Sequence, residues 1–339
     1  MKTNPRAQDV ADLAQVSQSA VSRTFTQGAS VSEATRRKVL AAAQTLGYRP
    51  NALARSLITR RSRIVALVMS YMANQFYPLV LERLSQRLQR QGYHVLVFIA
   101  EMDEAADGVL AEILEYQVDG IVMASAMLSP TLADSCAEIG VPVVQFNRVS
   151  TLGGLAGHAS SSVTSDNHAG GVQVAELLAE RGYRRFAFLG GLEDSSTSLE
   201  RERGFRAGLA ARGLALHARA TGHYDFERAK AATRELFAHE PPDAIFAAND
   251  HTAIACLDVV RHELGWRVPQ DVAVVGFDDV PQAAWAAYDL TTVRQPLEPM
   301  VEATVQLLTE QMHAELRPRD IVIPIELVER GTVRAGAPP

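Results

Sequence analysis

The sequence predicts an all-α helix-turn-helix head followed by a two-lobed α/β body with parallel sheets, and three observations predict it. Two short amphipathic segments separated by a tight turn occupy the first 25 residues, and a third follows. From Ile64 onward, β-branched runs alternate with helical stretches in two successive sets. Charge divides along the same boundary. Residues 1 to 61 carry ten basic against three acidic side chains, a net of +7, in a chain whose net charge is -6, so the remainder carries -13. At 339 residues the chain is too long for one typical core and suits a small head plus two lobes.

In the head, residues 8–14 place Val10, Leu13 and Ala14 on one helical face, with acids near the amino end, where the helix dipole favours them. After Gln15 and Val16, Ser17 is a good N-cap for a second helix over 18–25, because its hydroxyl can accept from a free amide. Val21 and Phe25 turn inward, which leaves Gln18, Ser19, Ser22 and Arg23 on the opposite face. Short polar groups and one arginine suit a helix that reads base edges in a major groove. On these residues alone, a merely solvated helix face explains the pattern as well. Further on, Ser30 and Glu33 stand at capping-box spacing, with Ser32 as an alternative cap. Residues 36–46 then form an amphipathic helix with Val39, Leu40, Ala43 and Leu46 inward, ended by Gly47. The basic excess of this head is an electrostatic footprint for phosphates confined to one end of the chain.

In the body, strands are read at 64–68, 95–99, 120–123 and 141–146, and again at 186–189, 244–246 and 272–275. Helices at 77–91, 110–116, 132–139, 168–181, 200–212, 226–237 and 252–264 fall between or beside them. The glycine- and serine-rich stretch 153–162 reads as the first passage between the lobes. Open parallel sheets bind ligands beyond the carboxyl ends of their strands, and in a two-lobed body those ends face a cleft. The residues at those ends are Asn74, Phe76 and Tyr77; Phe146-Asn147-Arg148; Asp194 to Ser198, including Thr197, with Arg201; Asn249-Asp250; and Phe277-Asp278-Asp279. Amides, carboxylates and arginine forks suit vicinal hydroxyls, and Phe76 with Tyr224 or Trp285 can stack on a sugar ring. Plainer readings stand beside these. Asp278 can cap the following turn, Arg201 can pair with Glu200 or Glu202, and Phe76 and Tyr77 can be lip packing. Trp285 can be a buried indole, and 194–198 a flexible loop or an anion-binding helix start.

Other chemistries lack their residues. His251 adjoins Asp250, but no Gly-x-Ser-x-Gly elbow, Walker loop, His-Glu-x-x-His or paired-cysteine spacing occurs, and Gly190-Gly191 lacks the third glycine of a dinucleotide fingerprint. Cys136 and Cys256 read as structural thiols, so neither a metal site nor a cofactor is expected, and no enzyme activity. No apolar run reaches the roughly 20 residues of a membrane span, and the amino end lacks the apolar core of a signal peptide; a cytoplasmic protein is expected.

Asp9-Val10-Ala11, Val16-Ser17, Val21-Ser22-Arg23, Val31 to Arg36, Leu46-Gly47-Tyr48-Arg49-Pro50-Asn51 and Ala54-Arg55-Ser56-Leu57 carry a resemblance over essentially the full length. On them the chain resembles the LacI/GalR family of bacterial transcription regulators, whose body is periplasmic-binding-protein-like. The resemblance implies a DNA-binding domain at 1–50, a hinge helix and linker at 51–62, and an effector-binding and dimerisation domain at 63–339. One lobe would comprise about 63–160 and 293–323, the other about 161–292 and 324–339. Gln18, Ser19 and Arg23 would read bases. Ser17, Ser22, Asn51, Ala54 and Arg55 would serve the DNA backbone and hinge, and Leu57 would wedge into the minor groove at the centre of a pseudo-palindrome. Phe76, Arg148, Arg201, Tyr224, Asn249 and Asp278 match effector-contacting positions, beside Asn74 and Thr197 from the strand ends. Two departures stand out: Gln15 replaces the usual turn glycine, and Arg6-Ala7 replace threonine and a larger apolar residue.

The function so implied is allosteric regulation, usually repression, of a double-stranded operator by a homodimer that answers to a sugar-like small molecule. The last residues carry glycine and proline instead of a leucine heptad, which favours a dimer over a tail-assembled tetramer. An exported sugar-binding protein, or an enzyme with a regulatory head, are the competing readings.

Overall fold

The computed structural model describes residues 5–26, 28–49, 61–100, 107–125, 130–149, 160–314 and 317–336. The chain divides into two units, Met1–Ser62 and Arg63–Pro339.

In the first unit, helices Ala7–Ala14, Gln18–Thr24 and Glu33–Leu46 enclose a small core of Val10, Ala11, Ala14, Val21, Val39, Ala42 and Ala43, with Ala7, Val16, Phe25 and Tyr48 packed against it. Asp9 anchors the start of the first helix by accepting from the Arg6 amide at 2.7 Å. Ser17 caps the second, accepting from the Ala20 amide at 3.2 Å. Ser32, not Ser30, caps the third, accepting from the Thr35 amide, so that helix starts at Glu33. Gly47 ends it at φ 67°, with the Tyr48 amide reaching back to the Ala43 carbonyl. Leu13, Leu40 and Leu46, expected inward, are instead 51%, 46% and 36% exposed. The three helices approach closely enough for valine and alanine to fill the space between them, which leaves no room for leucine.

Gln15 closes the first helix at φ 54° and ψ 49°. This is the left-handed conformation that a side chain makes unfavourable by about 1 kcal/mol. Gln15→Gly is therefore expected to slow hydrogen exchange of the head amides in the full-length protein by roughly fivefold. Unchanged or faster exchange would show that the glutamine side chain offsets the strain.

The second unit holds two six-stranded sheets. The first runs β11-β5-β4-β3-β1-β2, with strands Ile64–Met69 (β1), His94–Ile99 (β2), Gly120–Ala124 (β3), Val143–Phe146 (β4), Ser161–Ser165 (β5) and Asp320–Ile323 (β11), all parallel. The second runs β12-β10-β9-β8-β6-β7: Phe186–Gly190 (β6), Leu216–Thr221 (β7), Ala244–Ala247 (β8), Ala273–Asp278 (β9), Thr291–Arg294 (β10) and Glu326–Val328 (β12). Only β12 is antiparallel. Central strands are buried throughout except at Ile64, as expected for parallel sheets covered on both faces.

The first passage between lobes differs from the expected one. Residues 161–165 form an inner strand of the first sheet, so the chain leaves that lobe near residue 166 and not within 153–162. The strand escapes a hydrophobicity reading because its serines are buried yet bonded. Ser161 accepts from Gln311 (2.7 Å), Ser162 donates to Asp320 (2.6 Å) and Ser165 donates to Gln295 (2.8 Å). The return also lies slightly later, since β10 extends to Arg294 within the second sheet. The last passage falls at 324–325, between β11 and β12. Among the described residues, no helix is long and apolar enough to cross a membrane.

Candidate functional site

The carboxyl ends of β1, β4, β6, β7, β8 and β9 converge on one cleft between the two sheets. From the first lobe it is lined by Tyr71, Asn74, Tyr77, Asn147 and Arg148, and from the second by Thr197, Arg201, Tyr224, Asn249 and Asp278. Tyr71, Asn147, Tyr224 and Asp278 all hold positive φ, at 55°, 68°, 59° and 128°. Such strain persists only where surrounding contacts enforce it, and it is concentrated here at strand ends that turn side chains into the cleft.

Asp278 is the hub. Its Oδ2 accepts from Asn74 Nδ2 across the cleft at 2.9 Å, its Oδ1 accepts from Gln295 at 2.7 Å, and Arg201 Nη1 stands 3.7 Å away. Arg201 is itself buried, with its guanidinium 3.6 Å over the Phe277 ring, Nε donating to Asn167 at 2.8 Å and Nη1 donating to the Ala248 carbonyl. The plainer readings of both residues fail. Glu200 pairs with Arg203 and Glu202 with Arg206 and Arg219, while the turn after Asp278 is capped by Asp250, which accepts from the Val280 amide at 2.9 Å.

Asp250 lies behind the lining, where it also accepts from the Thr292 hydroxyl. Burial pushes its carboxyl up to about 7, and the neighbouring Asp278 charge adds to the rise. Burial raises Asp278 as well, but Arg201, Asn74 and Gln295 oppose it by favouring its charged form.

Tyr224 is held by hydroxyl contacts to Thr197 (3.0 Å) and Ser195 (3.3 Å). The Gly190-Gly191 pair makes room for this ring, since a Cβ on Gly191 would stand 2.1 Å from it. Ser195–Thr197 thus form an ordered rim, and Ser196 accepts from the Val149 amide of the other lobe at 2.9 Å. Asn249 caps helix Asp250–Asp258, its side-chain oxygen accepting from Thr252.

Of the eight residues expected at an effector site, seven line this cleft and Phe76 does not. Phe76 stacks on Phe146 at 6.4 Å and meets Tyr77 edge-on at 5.6 Å, so it is core beneath the site. Asn74, accepting from the Phe76 amide at 3.1 Å, starts the helix that carries both rings, and helical rotation delivers Tyr77 to the cleft instead. Trp285 is 55% exposed and away from the lining. Tyr71 was missed because the first strand was read as ending at Val68; its place two residues beyond the true end at Met69 is the signal that finds it. In the head, Gln18, Ser19, Ser22 and Arg23 are all exposed. Ser19 also lies 2.9 Å from the capping Ser17 hydroxyl. Asn51, Ala54, Arg55 and Leu57 lie outside the described residues.

Comparison with known proteins bears on both units. Residues 7–51 match the family described as "Bacterial regulatory proteins, lacI family", and residues 175–333 match "Periplasmic binding protein-like domain". The HTH-type transcriptional regulator CelR of Thermobifida fusca is 34% identical over 338 residues, covering 97% of this chain and 98% of that protein. A solved transcriptional regulator CelR–cellobiose complex is similar at 33% identity and a TM-score of 0.71, covering 97% of this chain and 99% of that one. A lac repressor dimer bound to operator and an anti-inducer shares the fold at a TM-score of 0.86 and 24% identity, covering 98% and 100%.

Proposed function

Because this chain belongs to the lacI family of bacterial regulatory proteins, we propose that it is a sequence-specific transcriptional repressor whose operator affinity is set by a small sugar-like molecule bound between the lobes. The observation that carries this reading is the joint presence, in one chain, of an exposed polar helix face and a polar interlobe cleft. Gln18, Ser19 and Arg23 read bases in the major groove, and Ser17 and Ser22 meet the phosphate backbone. Residues 51–62 form the hinge, with Asn51, Ala54 and Arg55 on the DNA and Leu57 as the minor-groove wedge. The DNA-binding part is 1–50 and the effector and dimerisation part 63–339.

The effector contacts Asn74, Arg148, Thr197, Arg201, Tyr224, Asn249 and Asp278, joined by Tyr71, Tyr77 and Asn147. A sugar-like ligand is supported by the cellobiose bound in the CelR complex and by the density of hydrogen-bonding groups around three tyrosine rings. The working form is a homodimer in the cytoplasm on a pseudo-palindromic operator, acting as a regulator and not an enzyme. Supporting self-association, the outer strand β2 exposes Val97 and Ile99 at 44% and 60%, an apolar edge that calls for cover. Coupling between effector and operator of 1–3 kcal/mol, typical of such switches, changes occupancy about 5–150-fold.

Electrophoretic mobility with DNA from upstream of the chain's own gene tests the reading. Arg23→Ala is expected to weaken specific binding roughly 5–150-fold, the range for loss of one bidentate base contact. Equal affinity for specific and unrelated DNA, with no effect of Arg23→Ala, would refute it.

A further inference from the structure

Among the charged groups that line the cleft, Arg148 is the one that pairs with no carboxylate of the described residues. It is buried, its Nη1 donates to the Ser125 carbonyl at 2.9 Å, and its guanidinium lies 5.6 Å from the Tyr224 ring centroid. Among the described residues no carboxylate comes within 4.0 Å of it, whereas Arg201 has Asp278 at 3.7 Å. The ten lining residues thus hold two guanidinium groups and one carboxylate.

Four buried atoms of the same cleft have no hydrogen-bond partner among the described residues: Arg148 Nε, Arg201 Nη2, Asn147 Oδ1 and the Tyr71 hydroxyl, which can either donate or accept. Both nitrogens can only donate, so they ask for acceptors, and the amide oxygen asks for a donor. A buried guanidinium without a counter-ion is strongly unfavourable, and an arginine fork matches carboxylate or phosphate geometry. A neutral sugar supplies hydroxyls for Asn147 and Asp278 but no charge for Arg148.

We propose that the effector is an anionic sugar derivative whose carboxylate or phosphate is bound by Arg148, with its hydroxyls on Asn147, Arg201 and Asp278. This rests on the reading of the cleft as the effector site and names the class of molecule it takes.

The test follows thermal unfolding and binding of the full-length protein with D-glucuronate, D-gluconate, D-glucose 6-phosphate, inorganic phosphate, D-glucose and cellobiose. At least one anionic probe is expected to raise the melting temperature beyond its neutral counterpart. Action by the uronate or aldonate alone assigns a carboxylate, and action by the phosphorylated probes alone a phosphate. Arg148→Met is expected to weaken the active anion about 30-fold or more and to raise the melting temperature of the ligand-free protein, because an unpaired buried charge is removed. Arg148→Lys, which retains the charge, is expected to keep the anion preference. Stabilisation by neutral sugars alone, unaffected by Arg148→Met, would overturn the proposal, as would no stabilisation by any anion or a lower ligand-free melting temperature in Arg148→Met. Operator binding measured in the same samples separates the two levels. If specific DNA is held and released by a neutral sugar, the regulator reading stands and the charge assignment falls; if no specific DNA is held, the regulator reading itself fails.

Discussion

Asp278→Asn is expected to leave a protein that still holds its operator but no longer responds to the effector. The carboxylate receives Asn74 from one lobe and Gln295 from the passage between lobes, and it neutralises Arg201. An amide in its place keeps one acceptor oxygen and turns an N–H₂ toward groups that are themselves donors. Arg201 is then left buried without a counter-ion. Effector affinity should fall roughly 30-fold or more, the scale for losing one partner of a buried charged hydrogen bond. The body should lose about 3 kcal/mol, the lower end for breaking a buried ion pair, because burial already disfavours the Asp278 charge. Calorimetric titration and a thermal melt of the variant check both numbers. Wild-type effector affinity would remove Asp278 from the site, and loss of specific DNA binding in a folded variant would contradict the separation of head from cleft.

The second large effect is predicted at a glycine outside the cleft lining. Gly204 sits in helix Ser196–Ala210, where alanine would ordinarily stabilise by about 1 kcal/mol. Here a Cβ would stand 2.0 Å from the backbone oxygen of His168 in helix Asn167–Glu180, and a Cβ on Gly171 would stand 2.2 Å from the Arg201 carbonyl. The two helices meet backbone to backbone through Gly171, Gly204 and Gly208, and this closeness brings Arg201 Nε to Asn167. Gly204→Ala must force them apart, at a cost of about 3 kcal/mol or more, with a fall in melting temperature on the order of 5–10 °C. Gly213→Ala is the control. Its φ is +68° but its Cβ would meet nothing, so only the backbone strain of about 1 kcal/mol applies. If both variants melt alike, the helices do not pack as closely as described.

Most of the fold was legible because its core strands are continuous β-branched runs and its helices carry recognisable caps. What escaped did so for physical reasons. Ser161–Ser165 looks like a linker because its burial is sustained by side-chain hydrogen bonds instead of apolar contact. Leu13 and Leu40 looked like core because periodicity finds a face without telling how much room the neighbouring helices leave. In the cleft, six of the seven expected residues that line it follow from the rule that ligands bind beyond strand ends, whereas Tyr224 follows a strand, Leu216–Thr221, that alternating polar residues conceal. Phe76 and Tyr77 were exchanged because both follow the same strand, and only the start of the helix, fixed by Asn74, decides which ring turns outward. Arg148 was visible as a residue, but the absence of a carboxylate beside it among the described residues was not, since that is a property of the assembled site.

The central claim is that one chain reads an operator and releases or tightens on it in answer to a ligand in the cleft. Footprinting of the wild-type protein on its own upstream DNA, at moderate salt and across sugars, sugar acids, sugar phosphates and nucleosides, tests it most directly. The account predicts a protected near-palindrome whose occupancy changes about 5–150-fold with one compound, and no such change in Asp278→Asn. Absence of specific protection under every condition, or a ligand response that survives in Asp278→Asn, would contradict it.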